Sequence, residues 1–400
     1  MMKRFFSVLM VALVWMALAI PASAIENEFG GYWRTRGISM QDFNGTDSGT
    51  SSYVDTRTRL YYTAKFSDKF KFVNKFEIDQ GWGDWSASPS SVGGDIGADG
   101  KGILEIKNSY ADFSVANHNF KVGIQPGKIA RGFLFDDDFA GLTATCTLDK
   151  ISLPFYWMKV SDEELPSNAA PTEREYFAVS PVFNLSSTLS LNPYLLFDKE
   201  QGTDTTVYYL GADVNAKVDA VTAWGTFIYQ TGETNNNDTS AFLLGAGADA
   251  GLVHGQFFYA SGDDDAADDE QNAFGLHFPV GRGQTYYWSE IMGEGIFDAT
   301  RSNNAPGTKI SDVAAANVGV TVKAMDKLTL TGDLWYAQLA EERMVNGSME
   351  DVLGFEIDLK ATYMVLDNLK LDVVAAYLIA GDATGEEDPI EIGTQLSFSF

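Results

Sequence analysis

From Ile25 onward, apolar and polar residues alternate with period two along most of the chain. In residues 353–363, Leu353, Phe355, Ile357, Leu359, Ala361 and Tyr363 share one face, and Glu356, Asp358, Lys360 and Thr362 share the other. That period marks strands with two unlike faces. The same split separates Leu328, Leu330 and Leu334 from Lys327, Thr329, Thr331 and Asp333. It returns in the last ten residues, with Leu396, Phe398 and Phe400 opposite Glu391, Gly393, Gln395, Ser397 and Ser399.

Tight turns read at residues 67–69, 116–118, 149–150, 184–186, 216–218, 250–251, 281–283, 325–326 and 366–368. Longer loops rich in Gly, Asp, Asn and Ser read at about 41–52, 83–101, 132–138, 162–171, 200–204, 232–238, 263–270, 294–310, 341–350 and 382–388. Turns and loops take turns without a break, which predicts twenty strands in one antiparallel meander, or 18 or 16 if one or two weak hairpins are misread. The hairpin at 272–292 is the weakest, because Pro279 and nearby glycines interrupt it. A soluble sandwich would also alternate, but it seldom needs so many strands in an unbroken meander. The expected fold is all-β: a transmembrane up-and-down β-barrel of 16 to 20 strands. The charged faces would then line a water-filled lumen, since a Lys or Arg at the bilayer midplane costs roughly 2–4 kcal/mol.

The ends of the chain carry address information. Lys3 and Arg4 precede the apolar run Phe5 to Ile20, and Ala22-Ser23-Ala24 offers a cleavage site, so residues 1–24 are expected to be a signal peptide and 25–400 one barrel domain. No later apolar stretch approaches the roughly 20 residues of a helical span. The closing Leu396, Phe398 and Phe400 resemble the signal that barrel assembly machinery reads on bacterial outer-membrane barrels, which implies an outer-membrane location. Barrels of that kind keep short turns in the periplasm and long loops outside.

Charge and composition narrow the chemistry. The formal charge is -27, from 28 basic and 55 acidic residues, which argues against nucleic acid as a partner. Cys146 is the only cysteine, so no intramolecular disulfide can form. Only His118, His254 and His277 could serve a histidine-dependent mechanism, and none has an evident Ser or Asp partner in the sequence. No P-loop, dinucleotide fingerprint or HExxH appears, and no enzyme, cofactor or metal is expected. The acidic run of Asp263 to Asp265 and Asp268 to Glu270 lacks EF-hand spacing and reads as a solvated outer loop. Tyr61, Tyr62, Trp157, Tyr208, Tyr209, Tyr286, Tyr287, Trp288 and Tyr363 are expected in the interfacial girdles.

Half of the 28 basic residues fall within residues 25–150. Alternation places Arg34 and Arg36 on one face of the first strand, Asp55, Arg57, Arg59 and Lys65 on one face of the second, and Lys71, Lys75, Glu77 and Asp79 on one face of the third. Neighbouring strands would gather them into a basic wall, either filtering solutes or neutralising its own acids. Glu356, Asp358 and Lys360 would line the pore elsewhere. Arg131 with Asp136, Asp137 and Asp138 forms a compact cluster in the third long loop.

The signal, the meander, the closing Phe400 and an acidic cluster after basic strands together resemble general porins of Gram-negative outer membranes, with a looser likeness to alginate-export-type barrels. The resemblance implies that the loop at Arg131 and Asp136 to Asp138 folds inward and faces the basic wall. It also implies passive diffusion of small polar or charged solutes, with outer-membrane lipid, lipopolysaccharide and the assembly machinery as partners. Monomer and homotrimer both fit. Two alternatives stay open: a scaffold or sheath for an electron-transfer or surface complex, and a selective exporter of anionic sugars.

Overall fold

The computed structural model describes residues 25–83, 103–148, 151–161, 173–201, 205–265, 267–276, 284–297 and 300–400. The expected signal peptide, the turns at 149–150 and 281–283, Pro279 and His277 lie outside them, as do all of the expected loop at 162–171 and most of those at 83–101 and 200–204. The first strands are β1 (Glu26–Gln41), β2 (Thr50–Ser67), β3 (Phe70–Gly81), β4 (Ile103–Val115), β5 (His118–Ile129), β6 (Phe135–Leu148) and β7 (Ile151–Ser161). There follow β8 (Glu173–Val179), β9 (Val182–Asn184), β10 (Leu189–Gln201), β11 (Thr205–Val218), β12 (Val221–Thr234), β13 (Asn237–Ala250) and β14 (Val253–Ala260). The last are β15 (Glu270–Gln271), β16 (Val313–Met325), β17 (Leu328–Val345), β18 (Ser348–Leu366), β19 (Leu369–Ala380) and β20 (Ile390–Ser399).

All twenty belong to one sheet, but the closed antiparallel wall has eighteen positions. Strands β8 and β9 both pair with β7 and β10, and so make a single interrupted wall strand. The break falls at Ser180-Pro181, where proline has no N–H for the ladder, and Asn192 Nδ2 reaches in to the Pro181 carbonyl at 2.7 Å. The two-residue β15 lies parallel to β13, outside the wall order. The wall closes where β1 pairs with β20, matching Trp33 with Phe398, Arg34 with Ser397 and Arg36 with Gln395. Every edge is thereby used.

The alternating faces sort as expected. On β18, Phe355, Ile357 and Leu359 are exposed on the outer face while Glu356 and Asp358 are buried within. Leu353 departs from its predicted face and is fully buried, because a bulge between the Ala337 and Gln338 pairings, at Gly354, turns it inward. On β20, Glu391, Gly393, Gln395 and Ser397 are the buried set, as the pattern predicts.

One expected hairpin does not exist. The described residues of 272–292 form no wall strand, and β14 pairs directly with β16. The described residues of 261–312 instead fold into the barrel, burying Phe274, Ile291, Met292, Phe297 and Ile310 there. The reason is visible in the residues: these apolar side chains cluster irregularly, so neither face of a strand could present them all to lipid.

Candidate functional site

The first three strands gather their arginines by register. Arg34 stands opposite Arg57, Arg36 opposite Asp55, Arg57 opposite Asp79 and Arg59 opposite Glu77. Directly opposed residues share a face and lie within side-chain reach. Arg36 Nε donates to both Asp55 oxygens, at 2.8 and 2.9 Å, and Arg57 Nε and Nη2 donate to Asp79 at 2.6 and 2.9 Å. Glu77 takes Arg59 and lies 3.4 Å from Arg57 Nη2. Arg34, at 7% exposed as buried as Arg36, differs from these three in making no ion pair among the described residues, and its Nε has no acceptor. Arg36 Nη1 is likewise without an acceptor. Beside this group, Lys75 lies over the Tyr61 ring at 5.1 Å and Lys71 pairs with Asp112 at 3.3 Å. Lys65 sits apart, near the turn after β2, where it pairs with the exposed Glu28.

Two elements turn into the lumen. The first is the tip of the β5–β6 hairpin. Strand β5 leaves its neighbour β4 after the Ser109–Ile124 pair, and β6 meets β7 only from the Ala140–Lys159 pair, while β5 and β6 stay paired up to Ile129–Phe135. Residues 125–139 therefore pair only with each other, and their apex reaches the opposite wall. Arg131 Nη1 donates to Asn215 Oδ1 at 2.6 Å, with its guanidinium 4.4 Å from the Trp224 ring centroid, and Phe133 packs on Phe258. The predicted constriction residues do not act as one loop. Asp136, Asp137 and Asp138 belong to β6; Asp136 pairs with Lys128 at 2.6 Å, and Asp138 accepts from Asn108 at 2.7 Å and pairs with Lys107 at 3.2 Å. The turn that enters the lumen is residues 130–134, and the strand pairing behind it supplies the reach that so short a loop lacks.

The second element is the segment 261–312. Its backbone is held by wall carboxylates: Ile291 N–H and Met292 N–H donate to Glu356 Oε1 and Oε2 at 2.6 and 3.0 Å, and Glu290 N–H donates to Asp358 Oδ2 at 3.3 Å. Glu356 is fully buried, so with Asp358 it anchors the loop instead of facing open lumen. Lys360 lines a cavity of about 190 Å3 with Glu290, Asp333 and Asp358. Burial pushes the Glu290 carboxyl up to about 7, helped by Glu356 and Asp333 and opposed by the Ile296 N–H bond and by Lys360. Elsewhere the loop bonds through Gly275 N–H to Gln230, Tyr286 Oη to Gln256 and Asn303 Nδ2 to the Thr384 carbonyl. The two inward elements meet: Phe133 stacks on Tyr286 at 3.7 Å, and Gln284 Nε2 donates to the Phe133 carbonyl at 2.7 Å.

The loop was missed by sequence reasoning, although its Pro- and Gly-broken alternation and its run of aromatics were visible. Four residues expected in the outer girdles are inside with it: Tyr286, Tyr287 and Trp288 on the loop, and Tyr209, whose hydroxyl donates to the Gly275 carbonyl at 3.0 Å. Tyr208 and Tyr363 are exposed on the outer wall, as the pattern predicts. His254 Nε2 lies 2.8 Å from Asp333 Oδ1, which also accepts from Asn317, a wall contact with no nucleophile in it. Cys146 is half-buried in β6.

No family model matches the chain, and neither does any curated protein. Solved structures do match. OccAB4 of Acinetobacter baumannii superposes with a TM-score of 0.60 at 13% identity, over 94% of this chain and 98% of that one. OpdQ of Pseudomonas aeruginosa gives 0.59 at 11% identity, over 94% and 98%. The outer membrane protein OprD of Pseudomonas aeruginosa gives 0.56 at 12% identity, over 94% and 93%. At these identities the likeness is one of fold, and it covers the barrel from end to end.

Proposed function

We propose that this chain is an outer-membrane channel that passes small polar solutes by passive diffusion and favours anions. The observation that carries the reading is Arg34: a buried guanidinium on the inner wall, with no carboxylate partner among the described residues and with Arg36 and Arg57 beside it. A protein does not bury an unneutralised cation cheaply unless water or an anion completes it. The architecture supports the same reading. A wall of eighteen strands encloses more space than its own side chains fill, and the two inward elements narrow that space. A solute's path then passes the arginine wall, where fixed charge selects by sign and the inward elements by size.

The outer membrane is the location that suits a barrel with an apolar outer face, and the export signal expected at residues 1–24 would deliver it there. Leu396, Phe398 and Phe400 are then the groups offered to the assembly machinery, and lipopolysaccharide the lipid around the loop end. A sheath for another protein would need an open bore; the inward hairpin and loop occupy it, which counts against that alternative.

Single-channel recording of the purified protein in planar bilayers tests the reading. Discrete conductance in KCl is expected, with a reversal potential under a salt gradient that reports anion preference. Replacing Arg34, Arg36, Arg57 and Arg59 together by Gln should shift the preference severalfold towards cations, because Asp55, Glu77 and Asp79 are left uncompensated. A purified barrel with no conductance would overturn the channel reading, and unchanged selectivity would remove the arginine wall from it.

A further inference from the structure

A cavity of about 340 Å3 lies below the β5–β6 hairpin tip, towards the turn end of the wall. It is lined by polar groups, among them Asn184, Ser190, Asn215, Lys217 and Thr222, with Arg131 on the hairpin side. By strand count it sits nearly half-way around the barrel from the arginine wall.

Arg131 is held there with care. It sits at φ 59°, next to Ala130 at φ 53°, a left-handed conformation unfavourable for any residue with a Cβ. Its guanidinium stacks over Trp224, and the indole in turn lies flat on Gly247, where an added Cβ would come within 2.5 Å of Trp224 Nε1. Its hydrogen bond to Asn215 fixes one end of the fork. Neither the indole nor the amide cancels the charge. Arg36, Arg57, Arg59, Arg174, Arg301 and Arg343 all have carboxylates in ion-pair range, but Arg131 has none among the described residues. Two acids on the facing wall are otherwise engaged: Asp213 accepts from Thr226 at 2.6 Å and from Tyr194 at 3.4 Å, and Asp249, which also lines the cavity, accepts from Thr222 at 3.4 Å.

We propose that Arg131 and this cavity form a second solute subsite, on the exit side of the constriction, for a small hydroxylated carboxylate of the size of a sugar acid. The inference rests on the channel reading and adds a site to it. A guanidinium held in place presents its remaining N–H groups to a carboxylate as a fork. Asn184, Ser190 and Thr222 offer donors and acceptors for hydroxyl groups, and the volume takes one such solute with water. Trp224 is covered by Arg131 on one face and by the wall on the other, so recognition runs through hydrogen bonds and charge instead of ring stacking.

The test uses the full chain in planar bilayers, with D-galacturonate or D-galactose added on the side of the short turns. Galacturonate should interrupt the KCl current in resolvable events and galactose should not. Arg131→Gln should reduce event duration at least tenfold, with Arg131→Lys intermediate because the charge remains and the fork is lost. Absence of any KCl current would count against the channel itself. A KCl current with no galacturonate events, or with events unchanged in Arg131→Gln, would overturn the subsite alone. Should the variant fail to fold, calorimetric titration of the unmodified protein with galacturonate decides: no saturable heat in excess of that from galactose overturns the subsite.

Discussion

Glu290 is 8% exposed on the inward loop, facing Glu356, Asp358 and Lys360 of β18 and Asp333 of β17, with Glu391 of β20 near enough to feel its charge. Its carboxyl is raised from 4.5 to about 7, so the docked loop binds a proton more readily than the undocked loop does. The stabilisation is complete below about pH 4.5 and is lost as pH rises through 7. A tenfold change in proton affinity is worth about 1.4 kcal/mol, enough to move a loop equilibrium. The conductance is therefore expected to be smaller and quieter at pH 5 than at pH 8, and Glu290→Gln to hold the quiet form across that range. A flat pH profile in the unmodified protein would deny Glu290 this part. Residue types alone put Arg34, Arg36, Arg57 and Arg59 on one face of adjacent strands, since alternation fixes the face; the strand pairing is what sets Arg34 opposite Arg57. They could not mark Glu356 and Asp358 as anchors, because alternation says which way a carboxylate points and not what backbone comes to meet it.

At the scale of elements, the seam between β1 and β20 leaves no room for a side chain at Gly31. Gly31 N–H donates to the Phe400 carbonyl at 2.8 Å and Phe400 N–H donates back at 3.1 Å. A Cβ on Gly31 would stand 2.4 Å from the Phe400 ring and 2.6 Å from the Arg59 carbonyl. Gly31→Val should keep the last strand from pairing with the first, and the heat-sensitive mobility of a closed barrel on a gel should be lost. A variant that still shows the mobility shift would place closure elsewhere. The terminal strand and its partner were legible because both carry an unbroken period of two and a closed barrel leaves the last strand only the first to pair with. The hairpin at 272–292 was misread for the opposite reason: apolar residues without a period resemble a damaged strand until a surface is found that buries them. The acidic residues at 136–138 were placed in a loop because Gly and Asp cluster there, yet they belong to a paired strand, β6.

For the whole molecule, the inward hairpin and the 261–312 segment set the bore. Replacing residues 284–310 by a short Gly-Ser link should leave the wall intact and raise single-channel conductance roughly twofold or more, towards that of an unobstructed barrel. An unchanged conductance would mean that the narrowest point lies elsewhere. The chain's own pattern determined the barrel, the alternation of turns and loops, the inner and outer faces and the gathering of arginines on the first strands. These are local or nearest-neighbour properties, written with a period of two. The tertiary structure alone decided the number of wall strands, the filling of the lumen, the conversion of two pore-lining acids into loop anchors and the unpaired setting of Arg131. Each of these depends on contacts across the barrel between residues as far apart as Phe133 and Gln284, for which strand periodicity carries no signal.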